Sequence, residues 1–286
     1  MISDITLGQF FPGFSPIHKL DPRTKILLAV LFIVSVFVAN NPASFAVLLA
    51  FTLILVAISR ISVKVILKGI KPIIFILIFT AIINLFMTGG KGEPLVSFWI
   101  IKIYTEGIAR AIFMALRVII LIIGTSLLLT YTTSPISLTD GLESLLSPLK
   151  KIKVPVHTFA MMMSIALRFI PTLVEETEKI MNAQKSRGAD FTSGSLVKRA
   201  KALVPLLIPL FVSAFKRAEE LATAMECRCY RGDYNRTKLV KLEMRGRDYL
   251  ALLVFVIFLG LLITGAILPY KLGLSGDVFT VLFYKI

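Results

Sequence analysis

The 286 residues are 56% apolar with a mean hydropathy of +0.84, well above what a soluble domain uses, so the composition describes a multi-span membrane protein. The formal charge of +15 comes without basic–aromatic interleaving or a nucleic-acid motif, which leaves nucleic acid out and makes the Lys and Arg excess a marker of cytoplasmic loops. Zinc at Cys227 and Cys229 would need further ligands, and the only histidines are His18 and His157, far away in the sequence; no cleavable signal peptide is expected ahead of the apolar run at Ile26.

In chain order, Pro12, Pro16 and Pro22 forbid a continuous helix at the start. Asp21 is placed to cap a helix opening at Pro22, and Lys19, Arg23 and Lys25 put this end in the cytoplasm. His18 reads as an interfacial or capping residue, since no second metal ligand lies near it. The first expected span is Ile26–Ala39, short for a bilayer, with Lys25 snorkelling outward and Asn40-Asn41-Pro42 as a turn. Ala43–Ile58 returns to the basic cluster Arg60, Lys64, Lys68 and Lys71, where Ile61–Ile70 has the pattern of a short interfacial helix. Pro72–Met87 is the third span. Gly89-Gly90-Lys91-Gly92 lacks the spacing of a phosphate-binding loop, and Trp99 and Tyr104 fit an outer aromatic belt.

Gly107–Tyr131 is the fourth span and carries Arg110 and Arg117. An arginine as deep as Arg117 is either functional or paired inside the bundle. A basic region follows. Pro135 and Pro148 bracket one helix, Lys150-Lys151-Ile152-Lys153 is a turn, and two long helices run over His157–Met181 and Lys198–Met225, the second bent by Pro205 and Pro209. Tyr249–Leu268 is the last span. The expected fold is an all-α integral membrane protein with about five spans in the cell membrane: a bundle over 1–131, a cytoplasmic helical region over 132–247, and a final helix and tail over 248–286. The amino terminus, the Arg60–Lys71 loop and Ser137–Arg247 then share one side, and they hold most of the Lys and Arg. Phe159–Leu173 and Ala202–Phe215 are also apolar, and parity would survive if both spanned. Arg168 with Pro171 in one, and the shortness of the other, favour helices lying at the inner interface.

Inside the basic region one pattern occurs twice: Ala183-Gln184-Lys185-Ser186-Arg187-Gly188 and Ala224-Met225-Glu226-Cys227-Arg228-Cys229. Each has Ala four residues before an Arg with small neighbours, and each follows an acidic run, Glu175, Glu176 and Glu178 or Glu219 and Glu220. A guanidinium bonds carboxylates and backbone carbonyls through a fixed fork, and small neighbours let a helix end carry it to the floor of a groove. Two such ends suit two contacts with two similar partners. Cys227 and Cys229 read as small packing residues, because a disulfide between them would close a very tight loop in a reducing compartment. Met161, Met162 and Met163 suit either an adaptable contact surface or simple core packing. There is no acidic pair at metal spacing, no nucleophile beside a histidine and no nucleotide loop, so no catalytic activity and no cofactor are expected.

Over nearly its whole length the chain resembles the transmembrane T component of energy-coupling factor (ECF) transporters. The resemblance rests on Ser15-Pro16-Ile17-His18-Lys19-Leu20-Asp21-Pro22-Arg23-Thr24-Lys25, on Leu167-Arg168-Phe169-Ile170-Pro171-Thr172-Leu173, and on the two Arg motifs. The family's motifs place Arg between small residues, most often Ala-Arg-Gly in the first. Here they are Ser186-Arg187-Gly188 and Cys227-Arg228-Cys229, and neither has Ala before the Arg. The resemblance implies two long coupling helices that cross, with arginine ends docking into grooves on two ATPase subunits. It also implies a separate substrate-binding S component for vitamin or metal-ion uptake, here matched to Met161, Met162 and Met163, with membrane lipid as the remaining partner. The competing readings are the permease of a conventional ABC transporter and a membrane-embedded lipid-active enzyme, which would need acidic or histidine clusters at the membrane face.

Overall fold

The computed structural model describes residues 10–39, 41–87, 96–98, 101–189, 191, 195–232 and 242–271. Gly89–Gly92 and Trp99, assigned above to a loop and an aromatic belt, lie outside them. The chain divides into two compact units, one comprising Gln9–Gly141 with Leu242–Ile286, the other Met1–Gly8 with Leu142–Lys241.

The first unit is a helical bundle built around α1 (Pro22–Val38). Asp21 is its N-cap as expected, accepting from the Arg23 N–H at 2.9 Å, and proline opens the helix. Leu28, Ala29, Phe32 and Val36 of α1 are buried against Phe45 and Leu48 of α2 (Pro42–Ser59), Ile120 of α5 (Thr105–Thr125), Leu127 and Leu128 just beyond α5, and Phe255, Phe258 and Leu262 of α9 (Gly246–Lys271). Gly124 makes the α1–α5 approach possible, because a Cβ there would collide with the Phe32 ring. The short helix α3 (Val63–Ile70) runs through a 3-10 turn at Lys71–Ile73 into α4 (Ile74–Met87). A two-stranded antiparallel ribbon, β1 (Val96–Phe98) with β2 (Ile101–Ile103), precedes α5 and is the one departure from helix among the described residues. A π-helical turn, Ser126–Tyr131, follows α5.

Polar side chains tie the helix ends of this unit together. The Asp248 carboxylate accepts from the Arg245 N–H at 2.9 Å, closing the first turn of α9, and from the Asp21 N–H at 2.8 Å, so one buried group serves the start of two helices. Lys25 does not snorkel. It is 2% exposed, and its Nζ donates to the carbonyls of Thr132 at 2.7 Å and His18 at 3.2 Å, placing a cation on the end of the π turn. His18 holds the amino-terminal loop: its Nε2 donates to the Phe11 carbonyl at 3.0 Å, and its Nδ1 lies 2.7 Å from Ser15 Oγ. Arg117 pairs within the bundle. It donates to the Ala39 carbonyl at 2.9 Å, capping the end of α1, and its guanidinium carbon lies 5.3 Å from the Phe45 ring centroid.

Among the described residues, five stretches are long and apolar enough to cross a membrane: Pro42–Ser59, Val63–Phe86, Gly107–Tyr131, Val156–Ser186 and Gly246–Thr264. The number matches expectation but the membership does not. With 17 residues, about 25 Å, α1 lies at the lower end of the lengths that cross a bilayer, and Val156–Ser186 joins the set on its apolar first half.

In the second unit, α6 (Pro135–Leu145, begun in the first) leads through a 3-10 stretch, Ser147–Ile152, to α7 (Val156–Ser186) and then α8 (Leu196–Cys227). Glu143 Oε1 meets His157 Nδ1 at 3.0 Å, joining the end of α6 to the first turn of α7.

Candidate functional site

The two Arg motifs end the two longest helices among the described residues, of 31 and 32 residues. In both helices a charged stretch follows an apolar one toward the carboxyl end, and α8 also opens with Lys198, Arg199 and Lys201 ahead of its apolar stretch. In α7 the run from Val156 to Leu173 holds one charged residue, Arg168, and Glu175, Glu176, Glu178, Lys179 and Lys185 follow. Pro171 lies inside α7, and Pro205 and Pro209 lie inside α8. Ser195 caps α8, its side chain accepting from the Lys198 N–H.

The helices pack along rows of residues four apart. Ile165, Phe169 and Leu173 of α7 face Ala214, Ala218 and Ala222 of α8 across an apolar cleft of about 260 Å³. At the edge of the cleft Arg217 donates to Glu176 at 2.8 Å. This half-buried ion pair fixes the register. The 11 residues from Glu176 to Arg187 equal the 11 from Arg217 to Arg228, so both arginines stand three turns, about 16 Å, beyond the same fastening.

Both ends use the same backbone device. Arg187 closes α7 at φ −87°, ψ 8°, and Arg228 closes α8 at φ −91°, ψ 15°. After Arg187, Gly188 turns left-handed at φ +87°, its N–H donating to Lys185 O at 2.9 Å, while the Ala189 N–H donates to Gln184 O at 3.0 Å. After Arg228, Cys229 turns left-handed at φ +56°, its N–H donating to Glu226 O at 2.9 Å, while the Tyr230 N–H donates to Met225 O at 3.1 Å. These are two Schellman caps with Arg as the C-cap residue of each helix. The residue after each Arg is thus set by backbone conformation, a reason the residue pattern alone did not reveal. No Cβ would clash at Gly188, so the demand there is torsional.

Ser186, Arg187, Gly188, Cys227, Arg228 and Cys229 are all exposed. That corrects the packing role expected for the cysteines, which are free thiols on the surface. Met162 and Met163 are 49% and 53% exposed, while Met161 is partly buried, so core packing does not account for the triplet. In the sequence, Ala189-Asp190-Phe191-Thr192-Ser193-Gly194 and Tyr230-Arg231-Gly232-Asp233-Tyr234 read as the stretches that finish the two motif helices; Asp190, Thr192, Ser193, Gly194, Asp233 and Tyr234 lie outside the described residues. Among the described residues no three His, Cys, Asp or Glu side chains gather into a metal site. What the arrangement offers is a pair of solvent-facing guanidinium groups on capped helix ends, with five donors each and no acceptor.

Residues 13–239 match the family model described as "Cobalt transport protein". The chain is similar to the energy-coupling factor transporter transmembrane protein EcfT of Clostridium kluyveri, with 55% identity over 251 residues, covering 88% of this chain and 93% of that one. It is 55% identical to the EcfT of Ruminiclostridium cellulolyticum over 259 residues (91% and 96%), and 50% identical to that of Bacillus subtilis over 262 residues (92% and 98%). An all-α, multi-pass membrane chain whose relatives carry this description along their whole length belongs to the EcfT family of ECF transporter transmembrane components.

Proposed function

We propose that this chain is the coupling subunit of an ECF importer, with Arg187 and Arg228 as its contacts to two ATPase subunits. The observation that carries the reading is the equal pair of arms. Two helices fastened at Glu176–Arg217 end 11 residues later in the same exposed Arg cap, and two like ends call for two like partners. Each cap carries its arginine, with Ser186 and Gly188 or Cys227 and Cys229 beside it, into a groove on one ATPase. ATP binding and hydrolysis move the ATPases. The α7–α8 crossing carries that motion to a separate substrate-binding membrane subunit, which contacts Met161, Met162 and Met163 and takes up a vitamin or metal ion. The chain itself performs no catalysis.

In this reading residues 132–247 form the cytoplasmic coupling domain, 1–131 and 248–286 form the membrane mount, and the amino terminus is cytoplasmic. The charged second half of α7 supports a cytoplasmic place for the Arg ends. The mass of the purified transporter tests the reading against a conventional ABC permease. One copy of this chain with two ATPases is expected, and two copies per pair of ATPases would overturn it.

A further inference from the structure

The strongest charge feature outside the α7–α8 pair lies on α3. Arg60, Lys64, Lys68 and Lys71 are all exposed, and among the described residues none of their side chains meets a hydrogen-bond or ion-pair partner. The sequence holds no Asp or Glu from Pro22 to Pro72, so nothing local neutralises them. Lys64, Lys68 and Lys71 recur at four and three residues, which puts them within roughly a 60° arc of the helix. Beside that arc runs an aliphatic edge, Val63 and Leu67, each 60% exposed, with Ile70 between it and the bundle. Ile66 is buried on the remaining side. Gly69 allows a close approach to Tyr131, since a Cβ there would meet the phenol oxygen. The helix is therefore seated on the bundle by Ile66 and Gly69, and it presents a cationic edge and an aliphatic edge side by side to its surroundings.

That pairing fits one kind of occupant. A soluble anion would satisfy the lysines and leave Val63 and Leu67 in water. A zwitterionic lipid would cover the aliphatic edge and leave three ammonium groups without a net countercharge. An anionic phospholipid satisfies both, its phosphate on the lysine edge and its acyl chains along Val63, Leu67 and the apolar α4 that follows. Lysine suits this use, because its flexible stem lies along apolar surface while the ammonium reaches the headgroup layer. We infer that the α3 stripe Lys64–Lys68–Lys71, with Arg60 at its start, is a binding site for anionic phospholipid headgroups that anchors this corner of the bundle at the membrane interface. The inference does not depend on the ATPase-docking role of Arg187 and Arg228.

The test uses the full chain in detergent with phosphatidylglycerol or phosphatidylcholine added, counting retained lipids by native mass spectrometry. A lysine near an anionic surface is worth about a fivefold preference, so the three together give up to about a hundredfold. Lys64→Gln/Lys68→Gln/Lys71→Gln is expected to lower the phosphatidylglycerol preference by about tenfold or more. The equally charge-depleted Lys198→Gln/Lys201→Gln/Lys216→Gln on α8 is expected to keep it. A Lys→Arg triple at 64, 68 and 71 retains charge and is expected to retain the preference, separating loss of the site from loss of fold. Unchanged preference in the α3 Gln triple overturns the proposal. So does equal displacement of the lipid by inorganic phosphate, which would mark a plain anion site, or an equal loss in the α8 control, which would mark bulk charge.

Discussion

Cys229 stands where the other arm has glycine, at φ +56° in a position that L side chains occupy at a cost of about 1 kcal/mol or more. Cys229→Gly is therefore expected to tighten the last turn of α8, slowing amide hydrogen exchange over 225–230 by about fivefold. Gly188→Ala is expected to speed exchange at the end of α7 by a similar factor. No change in either variant would show that torsional strain does not set the helix ends. The Arg-Gly pair at 187–188 was legible as a helix end from local chemistry, and so was Asp21-Pro22 as a helix start. The left-handed turn at Cys229 was not, because nothing in a Cys side chain asks for positive φ. Lys25 and Arg117 were misread or left open for a different reason. Their partners are the backbone carbonyls of Thr132 and Ala39, 107 and 78 residues away, and a carbonyl carries no sequence signature. Asp248 passed unnoticed because one of its two roles, holding the Asp21 N–H, acts across 227 residues.

Among the elements, the spans with long apolar runs announced themselves, while length sorted the rest. α1, at 17 residues, is at the short end of spanning helices yet lies at the centre of the bundle core, and α7 is apolar enough to span because its apolar and charged residues are segregated into halves rather than mixed. The resemblance implies that α7 and α8 cross, and the structure brings two rows four apart in the sequence, Ile165, Phe169 and Leu173 with Ala214, Ala218 and Ala222, to one apolar cleft. The partner of Glu176 was not readable, since three glutamates crowd that turn. A half-buried pair of this kind contributes about 0.2–1 kcal/mol to stability, so its value is as a register pin for the two arms. Glu176→Arg alone is expected to remove most ATP-driven uptake by setting two guanidinium groups against each other. The exchange Glu176→Arg/Arg217→Glu is expected to restore at least half of it, read as uptake per inserted transporter. If the double variant is as poor as the two losses multiplied, the pair does not set the arms.

At the scale of the whole molecule, one unit supplies a close-packed membrane bundle whose helix ends are tied by Asp248, Lys25 and Arg117. The other supplies two long helices with matching ends. The bundle's class was legible from composition, because more than half the chain is apolar. The duplicated ends were legible because a repeated pattern stands out even where one copy would pass for an ordinary basic helix terminus. The account turns on those ends acting as two docking points. The most direct measurement is capture of the ATPase subunits by this chain in cells carrying the complete transporter, with Arg187→Glu and Arg228→Glu singly and together, alongside uptake and membrane insertion. Each single change is expected to weaken capture, and the double change to abolish capture and uptake while insertion stays normal. Full capture and uptake in the double variant would contradict the account and reduce the paired arginines to charged helix ends.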